Sequence, residues 1–248
     1  FGAREYRRMK SAIYTALIFM AVLSVLFTLL GLVFCTPLIA LMGTPEAIFA
    51  DSDLYLRIYV FGIFFLFIYN IVTAVFNALG DSRTPLFFLI FSSLFNVALD
   101  VWFVAGIHMG VAGVAIATII SQYISATLIL ICLTKNEGVC RLMPKELRIH
   151  KEQLAEILRI GLPAGLQGVI FNISNVLIQS SVNSFGSVVV AGNTAASNIE
   201  GFVYTSMNAV YQTSLSFTSQ NMGAHNYKRI DRVLMECLAL VSAIGLIM

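Results

Sequence analysis

The architecture can be read outward from a short basic segment, Gly2–Met9, which reads GAREYRRM and runs straight into a long apolar segment. A second copy, Gly223–Ile230, reads GAHNYKRI and again precedes an apolar segment. Four of the eight aligned positions are identical, and the copies are 221 residues apart. Because self-similarity at a fixed offset indicates an internal duplication, we expect one repeat followed by the start of the next.

The composition indicates a protein that folds in lipid. Apolar residues make up 58% of the chain, charged residues 11%, and the mean hydropathy is +0.87, whereas soluble domains carry about 25% charged residues. Apolar runs long enough to cross a bilayer core of about 30 Å recur along the chain. We predict an all-α polytopic membrane protein with lipid as a partner, no nucleic-acid partner and, since the four cysteines are isolated, no metal cluster.

Seven apolar segments are predicted to be membrane helices. They are 11–34, 54–79, 85–105, 111–133, 154–182, 188–218 and the segment that starts at 228. Proline cannot continue a helical hydrogen-bond ladder, so the first helix is expected to stop near Pro37 and the fifth to be interrupted at 161–163. Thr84 is expected to cap the third helix, with Pro85 at its first position.

A long polar connection divides the helices into two groups. Residues 135–152 form the predicted cytoplasmic linker between 1–134, part of an N-terminal lobe with four spans, and 153–248, part of a C-terminal lobe with about three. Within this region 144–160 is amphipathic and is expected to lie along the membrane surface.

The basic residues predict the orientation. If the first loop is cytoplasmic, fourteen of the fifteen Lys and Arg fall on that side, and only Arg57 lies near the opposite face, where it is expected to snorkel outward. The two basic copies are six spans apart, so both precede helices that run outward. This is a parallel repeat and implies about twelve spans in the cytoplasmic membrane.

Polar residues inside the predicted spans fall in helical stripes. On the sixth span they are Asn193, Ser197, Glu200, Tyr204, Asn208 and Tyr211, and other spans carry Asn70, Ser92, Asn96, Asp100, Asn175 and Gln179. A carboxylate facing lipid costs about 2.5–3.5 kcal/mol, so the two acids should face protein or water. The amides and hydroxyls have an equal alternative, since such groups often only bond a neighbouring helix. The stripes together predict a central polar cavity between the lobes.

The motifs resemble those of the multidrug and toxic compound extrusion (MATE) family. They are the basic motif after 219–222, the loop GDSRTP at 80–85, the pair Asn96-x-x-x-Asp100 and the GLP at 161–163. The resemblance implies a cation-coupled antiporter of two six-helix lobes, of which this chain covers about the third to the ninth helix. It also implies that Asn96 and Asp100 form the cation site, with sodium or a proton as coupling ion and no other cofactor. Phe171 and Asn172 stand where many members carry a Glu.

The possible functions are two classes of transporter and one class of enzyme. We favour an antiporter, monomeric and bacterial, that exports drugs or organic cations. Its predicted cavity is lined by Glu200, Asn193, Tyr204, Asn208, Asn70, Asn175 and Gln179. The alternative is a flippase for a lipid-linked saccharide, which should need deep Lys or Arg for a diphosphate. An enzyme is not expected, because all three His lie in predicted loops.

Overall fold

The computed structural model describes residues 2–41, 46–135, 142–143, 146–183, 185 and 187–247. This part of the chain is helical and contains no strand. The helices are α1 (Tyr6–Leu41), α2 (Glu46–Ala78), α3 (Arg83–Val101), α4 (Gly110–Lys135), α5 (Lys151–Asn183), α6 (Ser187–Gly223) and α7 (Tyr227–Ile247), with a π-helical turn, Trp102–Gly106, directly after α3. Five of these helices, α1 to α5, are long and apolar enough to cross a membrane. The predicted all-α class is confirmed.

The duplication is visible in the backbone of the two basic copies. Tyr6 and Tyr227, equivalent in the alignment, are the first residues of α1 and α7. Two residues earlier, Arg4 and His225 both adopt the left-handed conformation, with φ of 57° and 55°. Few residues other than glycine adopt this conformation, so its recurrence at equivalent positions shows that the copies share a turn as well as a sequence.

The described chain divides into two compact units. Residues 6–154 form one unit, and residues 1–5 with 155–248 form the other. In the first, α2 packs against α1 and α4, and α4 packs against α3. The apolar core of this unit joins side chains of α1, α2 and α4, of which Tyr14, Phe76 and Ile129 are among the most deeply buried.

The end of the predicted linker is docked on α1. Leu142 is buried in the core with Leu147 packed beside it, and the main-chain N–H of Met143 donates to the Tyr14 hydroxyl at 3.2 Å. The N–H of His150 donates to the hydroxyl of Thr15, a fully buried side chain, at 3.1 Å. These contacts explain why residues up to 154 cluster with α1 to α4. Linker residues 136–141 and 144–145 lie outside the described residues.

Two prolines do not end or interrupt their helices as predicted. α1 continues through Pro37 to Leu41, and α5 runs unbroken through Pro163. Membrane helices tolerate proline because neighbouring groups satisfy the freed carbonyl, so the predicted stop and interruption are both wrong. Of the amphipathic stretch 144–160, residues 151–160 form the start of α5, and its location along the membrane surface stays a prediction.

The N-cap residue of α3 is Ser82, and the side chain that caps the helix is that of the preceding residue, Asp81, not that of Thr84. The helix begins at Arg83, and one oxygen of Asp81 accepts from the N–H groups of Arg83 and Thr84, both at 3.1 Å. The other oxygen accepts from the Thr84 hydroxyl at 2.6 Å. This last bond contributes most to lowering the pKa of Asp81 below its usual value, and the two N–H groups and the charge of Arg83 act in the same direction.

Arg57 is paired within the protein. Its Nε donates to Asp53 at 2.6 Å, and its Nη2 donates to the Thr36 hydroxyl at 2.7 Å, which in turn donates to Asp53 at 2.7 Å. The prediction that Arg57 snorkels outward stays a prediction. Its side chain remains 47% exposed, but its charge is compensated by a carboxylate one turn earlier on α2.

Candidate functional site

The polar stripe of α3 begins at a contact with α4. The Ser92 hydroxyl donates to the main-chain oxygen of Ser121 on α4 at 3.1 Å. Ser121 is itself buried, and its hydroxyl donates to Ala117, as a small polar residue in a close helix contact often does. Since Asn96 and Asp100 follow Ser92 at intervals of four residues, they continue along nearly the same face of the helix.

Asn96 and Asp100 each bury a polar atom that has no partner among the described residues. The atoms are Nδ2 of Asn96 and Oδ1 of Asp100, and Oγ1 of Thr73 is a third. Thr73 lies five residues from the end of α2, about 7 Å, whereas Asn96 lies thirteen residues into α3, about 20 Å. Because a tight loop joins these helix ends, Thr73 lies at another depth, whereas Asn96 and Asp100 follow one another at one-turn spacing on α3.

A π-helical turn follows Asp100, and it was not predicted from the sequence. Its wide ring is closed by hydrogen bonds from the N–H of Ile107 to Trp102 at 3.0 Å and of Met109 to Phe103 at 2.9 Å. α4 approaches this turn so closely that a Cβ on Gly113 would lie 3.0 Å from the Cβ of Phe103. Single π-helical turns occur often at functional sites, and here the turn fixes the end of the helix that carries Asp100.

The chemistry of the pair suits a small cation or a proton. Within the membrane an ionised carboxylate is costly unless its charge is compensated, and the free oxygen of Asp100 could accept a proton or bind a hard cation such as sodium. The amide of Asn96 lies one turn away, so it could donate to the carboxylate or, turned over, offer its oxygen to the cation. With a proton or a sodium ion bound, the charge of Asp100 is compensated. The amide of Asn96 has a hydrogen-bond or ligand partner in either case.

In the other unit, α5 and α6 touch through two pairs of side chains. Nδ2 of Asn193 donates to Oε1 of Gln179 at 3.5 Å, and the rings of Phe171 and Tyr204 stack with centroids 6.4 Å apart. These pairs set the antiparallel register of the two helices. Glu200 falls between them, and it is exposed in this chain.

The remaining predicted cavity residues are divided between the two units. Asn70, on α2, donates to the main-chain oxygen of Leu66 in its own helix at 2.8 Å. Asn175 lies between the two side-chain pairs at about the level of Glu200, and Asn208 lies one turn beyond Tyr204 on α6. Both are exposed. Their role as cavity residues stays a prediction.

The fold is that of a helical membrane protein with a buried polar pair, and comparison with known proteins gives its family. The MatE family model matches residues 1–102 and 163–248. A Bacillus subtilis (strain 168) relative named as a probable multidrug resistance protein, YpnP, is 35% identical over 92% of this chain and 51% of its own length. A second, YoeA, is 29% identical over 99% of this chain and 54% of its own length. The chain belongs to the MatE family, and the resemblance of its motifs is confirmed.

Solved structures show the same fold. A transporter of the MOP superfamily from Pyrococcus furiosus superposes with a TM-score of 0.92 at 23% identity, over 99% of this chain and 55% of that one. An outward-facing multidrug resistance MATE transporter of the same superfamily gives 0.91 over the same shares. The chain thus spans about half the length of the relatives it matches. These relatives are transporters, not enzymes.

Proposed function

We propose that this chain forms part of a cation-coupled antiporter that exports drugs or organic cations across the cytoplasmic membrane of a bacterium, with Asp100 as the coupling carboxylate. One observation carries the proposal: Asp100 and Asn96 bury polar atoms that no described residue satisfies. Buried polar atoms are nearly always paired, so an unpaired carboxylate oxygen inside a membrane protein is best explained by a ligand that comes and goes.

In this proposal, the charge of Asp100 couples the movement of the ion to that of the cargo. A proton or sodium ion entering from outside neutralises Asp100, and its release on the other side restores the carboxylate. A conformational change that is favoured in only one of the two states then moves the ion and the cargo in opposite directions. Asn96 acts beside Asp100 by stabilising the charged form or by sharing the cation. Which of the two ions is used depends on the affinity of the complete site.

Lipophilic cations are the proposed cargo. The predicted spans contain no Lys or Arg between residues 58 and 82, 84 and 134, or 160 and 227. A flippase for a lipid-linked diphosphate would need such charges, whereas a flat cation needs a carboxylate and aromatic faces. Glu200 and the stacked rings of Phe171 and Tyr204 offer that combination in the unit of α5 to α7.

The test replaces Asp100 by Asn in the full-length transporter. The substitution keeps the size of the side chain and removes its charge, so we expect gradient-driven dye export to fall to the level of cells without the transporter. The matched control is Asp51→Asn, an exposed acid of α2, which should export at the parental rate. Membrane protein levels of all variants are measured in parallel.

Two results would decide against Asp100. Export at the parental rate in Asp100→Asn would mean that the carboxylate is not needed for coupling. Loss of the protein from the membrane would instead mean that Asp100 supports folding, as an interhelical hydrogen bond would. To separate sodium from protons, export is driven in vesicles by each gradient alone.

A further inference from the structure

The part of α3 that carries the unpaired polar pair lies between two close contacts with α4. Eight residues before Asp100, the Ser92 hydroxyl donates to the main-chain oxygen of Ser121 at 3.1 Å. Three residues after Asp100, the π-helical turn at Phe103 meets Gly113. The position of the pair relative to α4 is therefore set by a hydrogen bond on one side and by a packing contact on the other.

The packing contact at Gly113 leaves no room for a side chain. A Cβ at this position would lie 3.0 Å from the Cβ atoms of both Phe103 and Met109, and 3.5 Å from the carbonyl carbon of Phe103. Carbon atoms in van der Waals contact are about 3.5–4.0 Å apart. Gly113 is buried as well. Any larger residue at this position would therefore force the π-helical turn and α4 to separate.

The π-helical turn would pass such a displacement on to Asp100. Its wide ring is closed by the N–H groups of Ile107 and Met109, which donate to Trp102 and Phe103. A π-helical turn spans one residue more per hydrogen bond than an α-helical turn. If its bonding shifted by one residue, α3 would turn relative to the start of α4 by about 100° and move by about 1.5 Å. Asp100 lies two residues before the turn, so it would move with the helix end.

The connection from this turn to α4 is too short to absorb the change. Only residues 107–109 separate Gly106 from Gly110, the first residue of α4. His108 and Gly110 both adopt the left-handed backbone conformation, each with φ of 59°. For a residue with a side chain, such as His108, this conformation is uncommon and persists only where the surroundings hold it. A change in packing at Gly113 is therefore carried into α3.

We propose that Gly113 is a positioning residue for the coupling site. By letting the π-helical turn pack on α4, it fixes where Asp100 and Asn96 lie and so sets the affinity for the coupling ion. The inference rests on the proposed function, in which Asp100 binds that ion. Gly113 has no side chain that could bind the ion or the cargo, so its effect passes through Asp100. Groups that bind a small ion need to be held within about 0.5 Å of the productive geometry, and this backbone contact provides such a constraint.

The test replaces Gly113 by Ala in the full-length transporter and measures dye export against sodium concentration and against pH. We expect the sodium concentration for half-maximal export to rise on the order of tenfold, as is typical when a residue that orients a metal ligand is lost. If the coupling ion is a proton, the midpoint of the pH profile should move by about one pH unit. The maximal export rate and the amount of protein in the membrane should stay at the parental values.

The matched control is Gly106→Ala, which adds the same methyl group inside the same turn. Among the described residues, a Cβ at Gly106 would meet only the side chain of Trp102, whose Cδ1 would lie 3.1 Å away. Trp102 is 56% exposed, so its ring can turn aside. Both substitutions raise the helix propensity alike, and a difference between them reports the contact with α4. Gly106→Ala should therefore keep the parental midpoint.

Hydrogen exchange of the parental protein tests the same link without a substitution at Gly113. If the turn helps to set ion affinity, ion binding stabilises the turn in return, because coupling between two sites is reciprocal. Saturating sodium, or low pH for a proton, should slow exchange of the Ile107 and Met109 amides on the order of tenfold, after correction for the intrinsic effect of pH. Asp100→Asn should abolish this slowing.

The outcomes separate this inference from the proposed function. An unchanged ion midpoint in Gly113→Ala would overturn the inference, and so would an equal shift in Gly106→Ala. If Gly113→Ala does not reach the membrane, the exchange measurement decides, and unchanged rates at Ile107 and Met109 would overturn the inference. Failure of the proposed function has a different signature: the parent and Asp100→Asn would then export alike, whichever ion gradient is applied.

Discussion

Replacing Thr15 by Val should loosen the linker from α1 without disturbing the helix. Thr15 is fully buried, donates to the Ser11 carbonyl at 2.7 Å and accepts from the His150 N–H at 3.1 Å. Valine has nearly the same shape, and the Ser11 carbonyl lies within α1. The lost interaction is therefore the single bond to His150.

The expected magnitude is that of one hydrogen bond. Its net contribution is about 1 kcal/mol, within a range of roughly 0.5–1.5 kcal/mol. Since about 1.4 kcal/mol corresponds to a factor of ten in an equilibrium constant, the linker should open about fivefold more often. Tyr14→Phe removes the hydroxyl that accepts from the Met143 N–H in the same way. If each bond acts independently, the free-energy change in the double variant should equal the sum of the changes in the two single variants.

Amide hydrogen exchange of the full-length protein in lipid discs measures this opening. In Thr15→Val the His150 amide should exchange about fivefold faster, while amides in the middle of α4 should keep their rates. Thr15→Ser retains the hydroxyl and is the matched control. An unchanged rate at His150 would refute the claim that Thr15 holds the linker, and a general acceleration would show that the substitution had damaged the whole unit.

The remaining predictions concern Glu200, the proposed cargo-binding carboxylate, and the cap of α3. Glu200→Gln should reduce export of cationic dyes more than export of neutral compounds, because only the charge is removed; equal loss of both classes, at matched expression, would argue that Glu200 only supports folding. Asp81→Ala should lower the free energy of unfolding by about 1 kcal/mol through loss of the α3 cap, measured by thermal unfolding, with Asp81→Asn between the parent and Asp81→Ala at pH 7, because it keeps an acceptor oxygen but not the charge. Because the folded-state pKa of Asp81 is lowered, the stabilisation from its charge is complete above its unfolded pKa of about 4 and is lost as the pH falls through the folded value. The parent should therefore lose more stability than Asp81→Asn below about pH 4; parallel pH profiles would contradict this.

Helix positions followed well from the sequence, and helix ends followed less well. Apolar runs and their polar interruptions placed all seven helices, because burial in lipid depends on composition over about twenty residues. Pro37 and Pro163 misled the prediction, since the cost of a proline depends on what surrounds the freed carbonyl. The cap at Asp81 was missed by three residues because several neighbouring polar side chains could have served.

The sequence predicted which helix face carries the candidate site, but not the hydrogen-bond partners of its side chains. The spacing of Asn96 and Asp100 placed them on one face of a helix, but it could not tell which of the polar residues would be left without a partner. Asn70 looked equally suitable and bonds its own helix. The π-helical turn after Asp100 arises where α4 packs closely at Gly113, and that contact lies beyond any local pattern.

Local information was sufficient to predict the lipid environment, the helical class and the basic motif, because each is set by residues close together in the chain, and the duplication needed only a comparison of the sequence with itself. Contacts between distant segments required the folded chain. Thr15 meets His150 across 135 residues, and the identity of either partner alone does not predict the pairing. Hydrogen bonds and close approaches act over a few ångströms, so they become visible only when packing has brought their atoms together.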